Sequence, residues 1–142
     1  MLKLKTETGG NMNRKKKTLI INTGGTIGMV KTEDGYKPDG ESFVRTLHEM
    51  DALKADVMPD WDFAALEVLI DSSNMTVSEW NRIGKLIADS YDKYDGFVVL
   101  HGTDTMSYTA SALSFMLEHC AKPVILTGSQ IPRPFYRTAA AV

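Results

Sequence analysis

Two threonine-centred glycine turns hold the residues best suited to chemistry in this 142-residue chain: Thr23-Gly24-Gly25-Thr26-Ile27-Gly28 and His101-Gly102-Thr103-Asp104-Thr105. Paired glycines let the backbone turn sharply and approach a ligand closely. A threonine hydroxyl is a poor nucleophile at its free pKa and needs an activating neighbour. For Thr26 the candidate is Tyr36, beyond the turn signal Asp34-Gly35, although spacing alone favours a ring packed within its own loop. Thr103-Asp104 puts a hydroxyl and a carboxylate on one turn, fit to orient a water or to hold a substrate ammonium. The same residue types cap helices well, and on this motif alone the two readings are level. Asp71-Ser72-Ser73-Asn74 offers hydroxyls and turn N–H groups to a carboxylate. Alone, it reads better as an ordinary turn before the next helix.

These turns need a scaffold that presents them together, and the pattern of elements supplies one. Apolar runs at Thr18 to Asn22, Leu66 to Ile70, Phe97 to Leu100 and Pro123 to Leu126 read as short buried strands. Helical spacing fills the gaps. Glu41 to Leu53 places Phe43, Val44, Leu47 and Met50 on one face. A capping box at Thr76-Val77-Ser78-Glu79 starts a helix with Val77, Trp80, Ile83, Ile87, Tyr91 and Tyr94 in its core-facing stripe. Thr105 can cap a third helix whose apolar face is Met106, Ala110, Leu113 and Leu117. Alternating strands and helices with right-handed crossovers predict an α/β fold, a doubly wound parallel sheet with helices on both faces. In such sheets ligands bind outside the carboxyl ends of the strands, where all three polar turns fall.

Composition narrows the classes. The chain is one domain or part of one, and 43% apolar residues suffice for a core. Residues 1–17 hold six basic residues and one acid. Such an arm can touch nucleic acid, but composition favours a solvated, disordered leader. The domain proper is expected over 18–142. No export signal and no run of membrane-spanning length are read. The single cysteine, Cys120, excludes an internal disulfide and suits a reducing compartment. Cys120, His48 and His119 read as packing or surface residues, and His101 as bonded to a neighbouring turn. No cluster has metal-ligand spacing, so no metal and no cofactor are expected.

Taken together, Thr23 to Gly28, Gly35-Tyr36-Lys37-Pro38, Asp71-Ser72-Ser73-Asn74-Met75, Phe97 to Thr105 and Ile125 to Pro132 resemble the bacterial-type L-asparaginase family, in its type I, cytosolic branch. The resemblance runs from about residue 17 to about residue 132, in the family's order. It implies that Thr26 attacks the side-chain amide of L-asparagine, or of L-glutamine, to form an acyl-enzyme. It makes Tyr36 the activating partner on a mobile lid loop, and Thr103 and Asp104 part of a second catalytic group. Asp104 would also bind the substrate α-amino group, Ser72 the α-carboxylate, and Ser73 a neighbouring contact. Gly25 and Gly102 would bring backbone N–H groups to the oxyanion. The family completes the second group with a lysine that would lie past residue 142, and Lys122, at the opposite end of its strand, is a poor substitute. A smaller second domain and a homodimeric or homotetrameric assembly, in the cytoplasm, are implied too. The chain is therefore expected to be an amino-terminal fragment. Three other readings compete: the amidase subunit of a Glu-tRNA(Gln) amidotransferase, a non-catalytic amino-acid-binding fragment, and a nucleotide-binding domain. The last lacks both the G-x-G-x-x-G fingerprint and a P-loop lysine.

Overall fold

The computed structural model describes residues 2–4, 14–33, 35–38 and 40–130. Its centre is a four-stranded parallel sheet of β2 (Lys17–Gly24), β5 (Asp60–Ile70), β6 (Gly96–Leu100) and β8 (Val124–Thr127) in the order β5-β2-β6-β8. Two small pairs flank it. β1 (Leu2–Lys3) runs parallel to β7 (Leu117–Glu118), and β3 (Met29–Thr32) with β4 (Gly35–Pro38) forms an antiparallel hairpin. The hairpin falls where Asp34-Gly35 signals a turn; Asp34 itself and residues 131–142 lie outside the described residues.

Helices cover both faces. β2 alternates: Leu19 and Ile21 turn to a core shared with Ile83 and Ile87 of α3 (Val77–Ser90) and Leu113 of α4 (Met106–Met116), whereas Ile20 turns to Phe43 of α1 (Gly40–Glu49). The connection from β2 moves one way across the sheet, to β5, by way of α1. Those to β6 and β8 move the other way, by way of α3 and α4. A constant crossover hand requires opposite faces for opposite directions. Strand order thus reverses between β2 and β6, and their carboxyl ends flank a crevice.

Several elements depart from expectation. β5 begins at Asp60, six residues before the expected Leu66, and it is this early half that pairs with β2, from Lys17 opposite Asp60 to Asn22 opposite Ala65. Its acids resemble a loop in sequence, but Lys15 meets Asp60 at 2.8 Å and Lys17 meets Asp62 at 2.7 Å. Tyr94 also donates to Asp62, which pushes the phenol up to about 12. The helix expected through Leu53 breaks at Met50, in extended backbone, and resumes as α2 (Asp51–Lys54). Beyond Leu47 only Leu53 is even half-buried, so no apolar face holds the helix on course.

The basic segment is tied down at its inner end. Arg14 and Lys16 both reach Asp95, which also accepts the Lys17 N–H at 2.8 Å. Arg14 to Lys17 are thereby matched to Asp60, Asp62 and Asp95. Leu4, within the same leader, is buried in the core. No helix among the described residues is long and apolar enough to cross a membrane.

Candidate active site

The four parallel strands deliver four loops to one edge of the sheet: Gly24–Gly28, Asp71–Asn74, His101–Thr105 and Gly128-Ser129. The first and third meet backbone to backbone. Gly25, at φ +84°, stands so close to the second motif that a Cβ on it would lie 2.5 Å from the Gly102 nitrogen. Gly102 in turn backs onto Ser72, where a Cβ would lie 2.7 Å from the serine Cβ. Only glycine fits at either place. Gly25, Gly102 and Ser72 therefore form one contiguous floor between β2, β6 and β5.

Thr26 opens a 3-10 turn, Thr26–Gly28, directly above that floor. It is half-buried, and its hydroxyl makes no hydrogen bond to a described residue. The hairpin β3–β4 leaves from the next residue, Met29, and places Tyr36 opposite Lys31 on β4. Thr103 is half-buried and Asp104 exposed on the far side of Gly102, just before α4. The amino-terminal end of α4 lies at this same edge, where its partial positive charge favours an anion. Ser72 is buried, at 3% exposure. Ser73 is exposed: its N–H and hydroxyl both bond to Asp71, at 3.0 and 2.9 Å, and those two bonds hold the Asp71 carboxyl below its usual range.

The capping read for Thr76, Thr103, Asp104 and Thr105 does not form. Thr105 is the N-cap of α4 but makes no side-chain cap bond; its hydroxyl donates to the Ser72 carbonyl at 2.7 Å and ties the third loop to the second. Thr103 and Asp104 do not cap α4 either. Thr76 bonds to the Glu79 side chain and not to a backbone N–H, so the capping box is not closed.

Beneath the second motif runs a buried chain of hydrogen bonds. His101 Nδ1 lies 2.6 Å from the Gly102 carbonyl, and only a protonated nitrogen can bond there. Its Nε2 is then an acceptor, 2.9 Å from the Thr109 hydroxyl, which itself accepts from Trp80 Nε1 at 2.9 Å. The network accommodates a neutral imidazole protonated on Nδ1, and burial, outweighing the Gly102 bond, holds its pKa below the usual value. His101 thus serves the turn that precedes Thr103. Thr23 does the same for the first motif, donating to the Leu100 carbonyl of β6 at 2.8 Å.

Lys122 is committed elsewhere. Its ammonium bonds the Tyr91 carbonyl and lies 4.4 Å from the Tyr91 ring centre. Cys120 donates to the Lys122 carbonyl, and His48 packs on Trp61 with ring centres 4.5 Å apart. Among the described residues no group of three or more His, Cys, Asp or Glu is placed to hold a metal ion. Sequence reasoning missed Asn22 and Thr109, both fully buried and polar. A polar residue closing the apolar run Leu19-Ile20-Ile21 was the available signal for Asn22.

An α/β domain with a hydroxyl-lined crevice at the reversal of its strand order is the class of protein that these features define. The chain belongs to the asparaginase family: the family described as Asparaginase, N-terminal, matches residues 17–141. It is 53% identical over 119 residues to L-asparaginase 1 of Escherichia coli K12, covering 84% of this chain and 35% of that protein. It superimposes with a TM-score of 0.77 on the crystal structure of L-asparaginase I from Vibrio cholerae, at 50% identity, covering 84% of this chain and 35% of that one. A more distant relative is a glutamyl-tRNA(Gln) amidotransferase subunit of Thermoplasma acidophilum, at 37% identity over 81% of this chain and 27% of that protein. The chain spans about a third of the length of the curated relatives it matches.

Proposed function

We propose that the chain supplies the threonine-bearing part of the site of an L-asparagine amidohydrolase. The Thr26 hydroxyl attacks the side-chain amide carbon and gives up its proton to a partner, for which Tyr36 is the candidate. The tetrahedral oxyanion is stabilised by backbone N–H groups of the Gly25 and Gly102 turns, a contribution worth several kcal/mol where such donors are pre-placed. The C–N bond breaks, the nitrogen takes a proton and leaves as ammonia, and an ester to Thr26 remains. A water oriented at Thr103 and Asp104 adds to the ester and releases L-aspartate, restoring Thr26. Ser72 holds the substrate α-carboxylate and Asp104 the α-ammonium, with Ser73 beside them. L-glutamine is the alternative substrate. No cofactor is required, and the whole protein works as a homodimer or homotetramer in the cytoplasm.

One observation carries this reading: Gly25 and Gly102 meet backbone to backbone at the strand-order reversal, bringing the Thr26 turn beside the Thr103–Asp104 turn. The lysine expected of the family past residue 142 is not replaced by Lys122, which is bonded to Tyr91. The test is ammonia release from L-asparagine, with L-glutamine in parallel, by the chain alone, by the chain joined to the portion its relatives carry beyond this match, and by Thr26→Ala of each. Release that vanishes in the variant supports the reading. Release that survives Thr26→Ala sinks it, and release only in the presence of Glu-tRNA(Gln) turns the assignment to the amidotransferase.

A further inference from the structure

Asn22 anchors the front of the turn that carries Thr26. It stands at the end of the apolar run of β2 and is fully buried. The pairing of β2 with β5 loses its register between Asn22 and Gly24, so the Gly24 N–H needs an acceptor other than a regular ladder carbonyl. Asn22 Oδ1 provides it at 3.0 Å, an Asx-type bond to the residue two positions on. That bond holds Gly24 at φ +117°, a conformation few other residues adopt. At the other end of the same amide, Nδ2 lies 3.4 Å from where a Cβ on Gly28 would stand. One carboxamide therefore bonds the first residue of Gly24–Gly28 and faces the last across the space of one methyl group.

The choice of asparagine has a cost. Nδ2 is buried without a hydrogen-bond partner among the described residues, an exceptional condition for a buried donor. Leucine has nearly the same shape and would continue the apolar cluster of Ile20, Phe43 and Leu100, removing the orphaned Nδ2 but leaving the Gly24 N–H without its acceptor. Aspartate would keep the acceptor but bury a charge. What asparagine offers over leucine is the Gly24 bond, and what it offers over aspartate is neutrality.

We propose that Asn22 is a positioning residue for Thr26. Its Oδ1 fixes the front of the turn, holding it at the height where Gly25 meets Gly102. The proposal rests on reading Thr26 as the nucleophile.

The test is hydrogen–deuterium exchange resolved to single amides, with thermal melting, on the chain and on its Asn22→Leu and Asn22→Asp variants. Asn22→Leu is expected to melt near the wild-type temperature, because it removes the orphaned Nδ2 while orphaning the Gly24 N–H. Its Gly24 and Gly28 amides are nonetheless expected to exchange about tenfold faster while Phe97 to Leu100 stay unchanged, the signature of local opening. Asn22→Asp keeps the acceptor, so Gly24 stays slow. In a form that releases ammonia, Asn22→Leu lowers kcat about tenfold and leaves KM within about twofold, as misplacement of a reacting group does. Wild-type exchange at Gly24 and Gly28 in Asn22→Leu overturns the proposal, and so does acceleration that spreads evenly into Phe97 to Leu100. Should Asn22→Leu not fold, Asn22→Asp decides: retained protection of Gly24 supports the proposal, and its loss overturns it. Exchange is read without substrate, so this result stands apart from Thr26→Ala, whose failure would sink the reaction assignment alone.

Discussion

His101 Nε2 and Thr109 Oγ1 lie 2.9 Å apart beneath the first turns of α4, in a buried site that favours the neutral imidazole. A folded-state pKa depressed by burial means that the unfolded chain binds the proton more readily. The stability linked to His101 is therefore fully present above the ordinary histidine value of 6.5 and is lost as pH falls below it toward the folded pKa. Melting temperature should drop between about pH 7 and pH 5, and the drop should shrink in His101→Gln. Thermal melts of both proteins across that range check this. An equal drop in the two would exclude His101 as its source.

Gly102→Ala should damage the floor of the crevice directly. The added methyl points at the Ser72 side chain, and the backbone of Gly25 presses from the other side. Overpacking of this kind costs about 1–3 kcal/mol. We expect a lower melting temperature together with weaker binding of L-aspartate, measured by calorimetry in a form that binds it.

Asp95 gathers Arg14, Lys16 and the Lys17 N–H at the opposite edge of the sheet. Burial raises its pKa, but the Lys17 N–H and the two cations outweigh burial and hold the carboxyl below its usual 3.8. Its contribution is present above that value and disappears as pH falls through the lower folded pKa. Asp95→Asn should cost about 1–2 kcal/mol at neutral pH, discounted for the exposure of both cations, and should flatten the acid limb of the stability curve. Urea titrations at pH 7 and pH 3 measure both effects.

Among the described residues β8 is paired on one side only, with β6. Ile125 on it is 56% exposed, and a groove of about 470 Å³ beside it is lined by Leu113, Leu117, Val124 and Leu126. An unpaired apolar edge recruits other strands. Residues 1–142 alone should self-associate, and Ile125→Lys should lower the associated fraction in sedimentation velocity. A monodisperse wild-type monomer would contradict this.

The central strands were legible because β2 and β6 are buried on both faces, which writes a continuous apolar run into the sequence. The first half of β5 was not, because it is an edge strand whose Asp60 and Asp62 answer Lys15 and Lys17. Those pairings span some forty residues and leave no local trace. The glycine turns were legible for a related reason: close backbone approach and positive φ admit little else, so Gly24-Gly25 and Gly102 announce themselves. Hydroxyl partners were not. Thr105 fits a cap as well as a tie to Ser72, and only the fold selects the tie. The chain from Trp80 through Thr109 to His101 joins two helices and a strand end, beyond any sequence window.

The back-to-back contact of Gly25 and Gly102 also limits how the crevice can diversify. Neither position admits a side chain, so substitution has no handle on that part of the floor. Any retuning toward a longer or bulkier amide must come from around it: the loop after β5, Ser72 included, the residues past Gly102 and the hairpin that leaves from Met29. The fixed part of the site is bare backbone, and its adjustable part is hung around it.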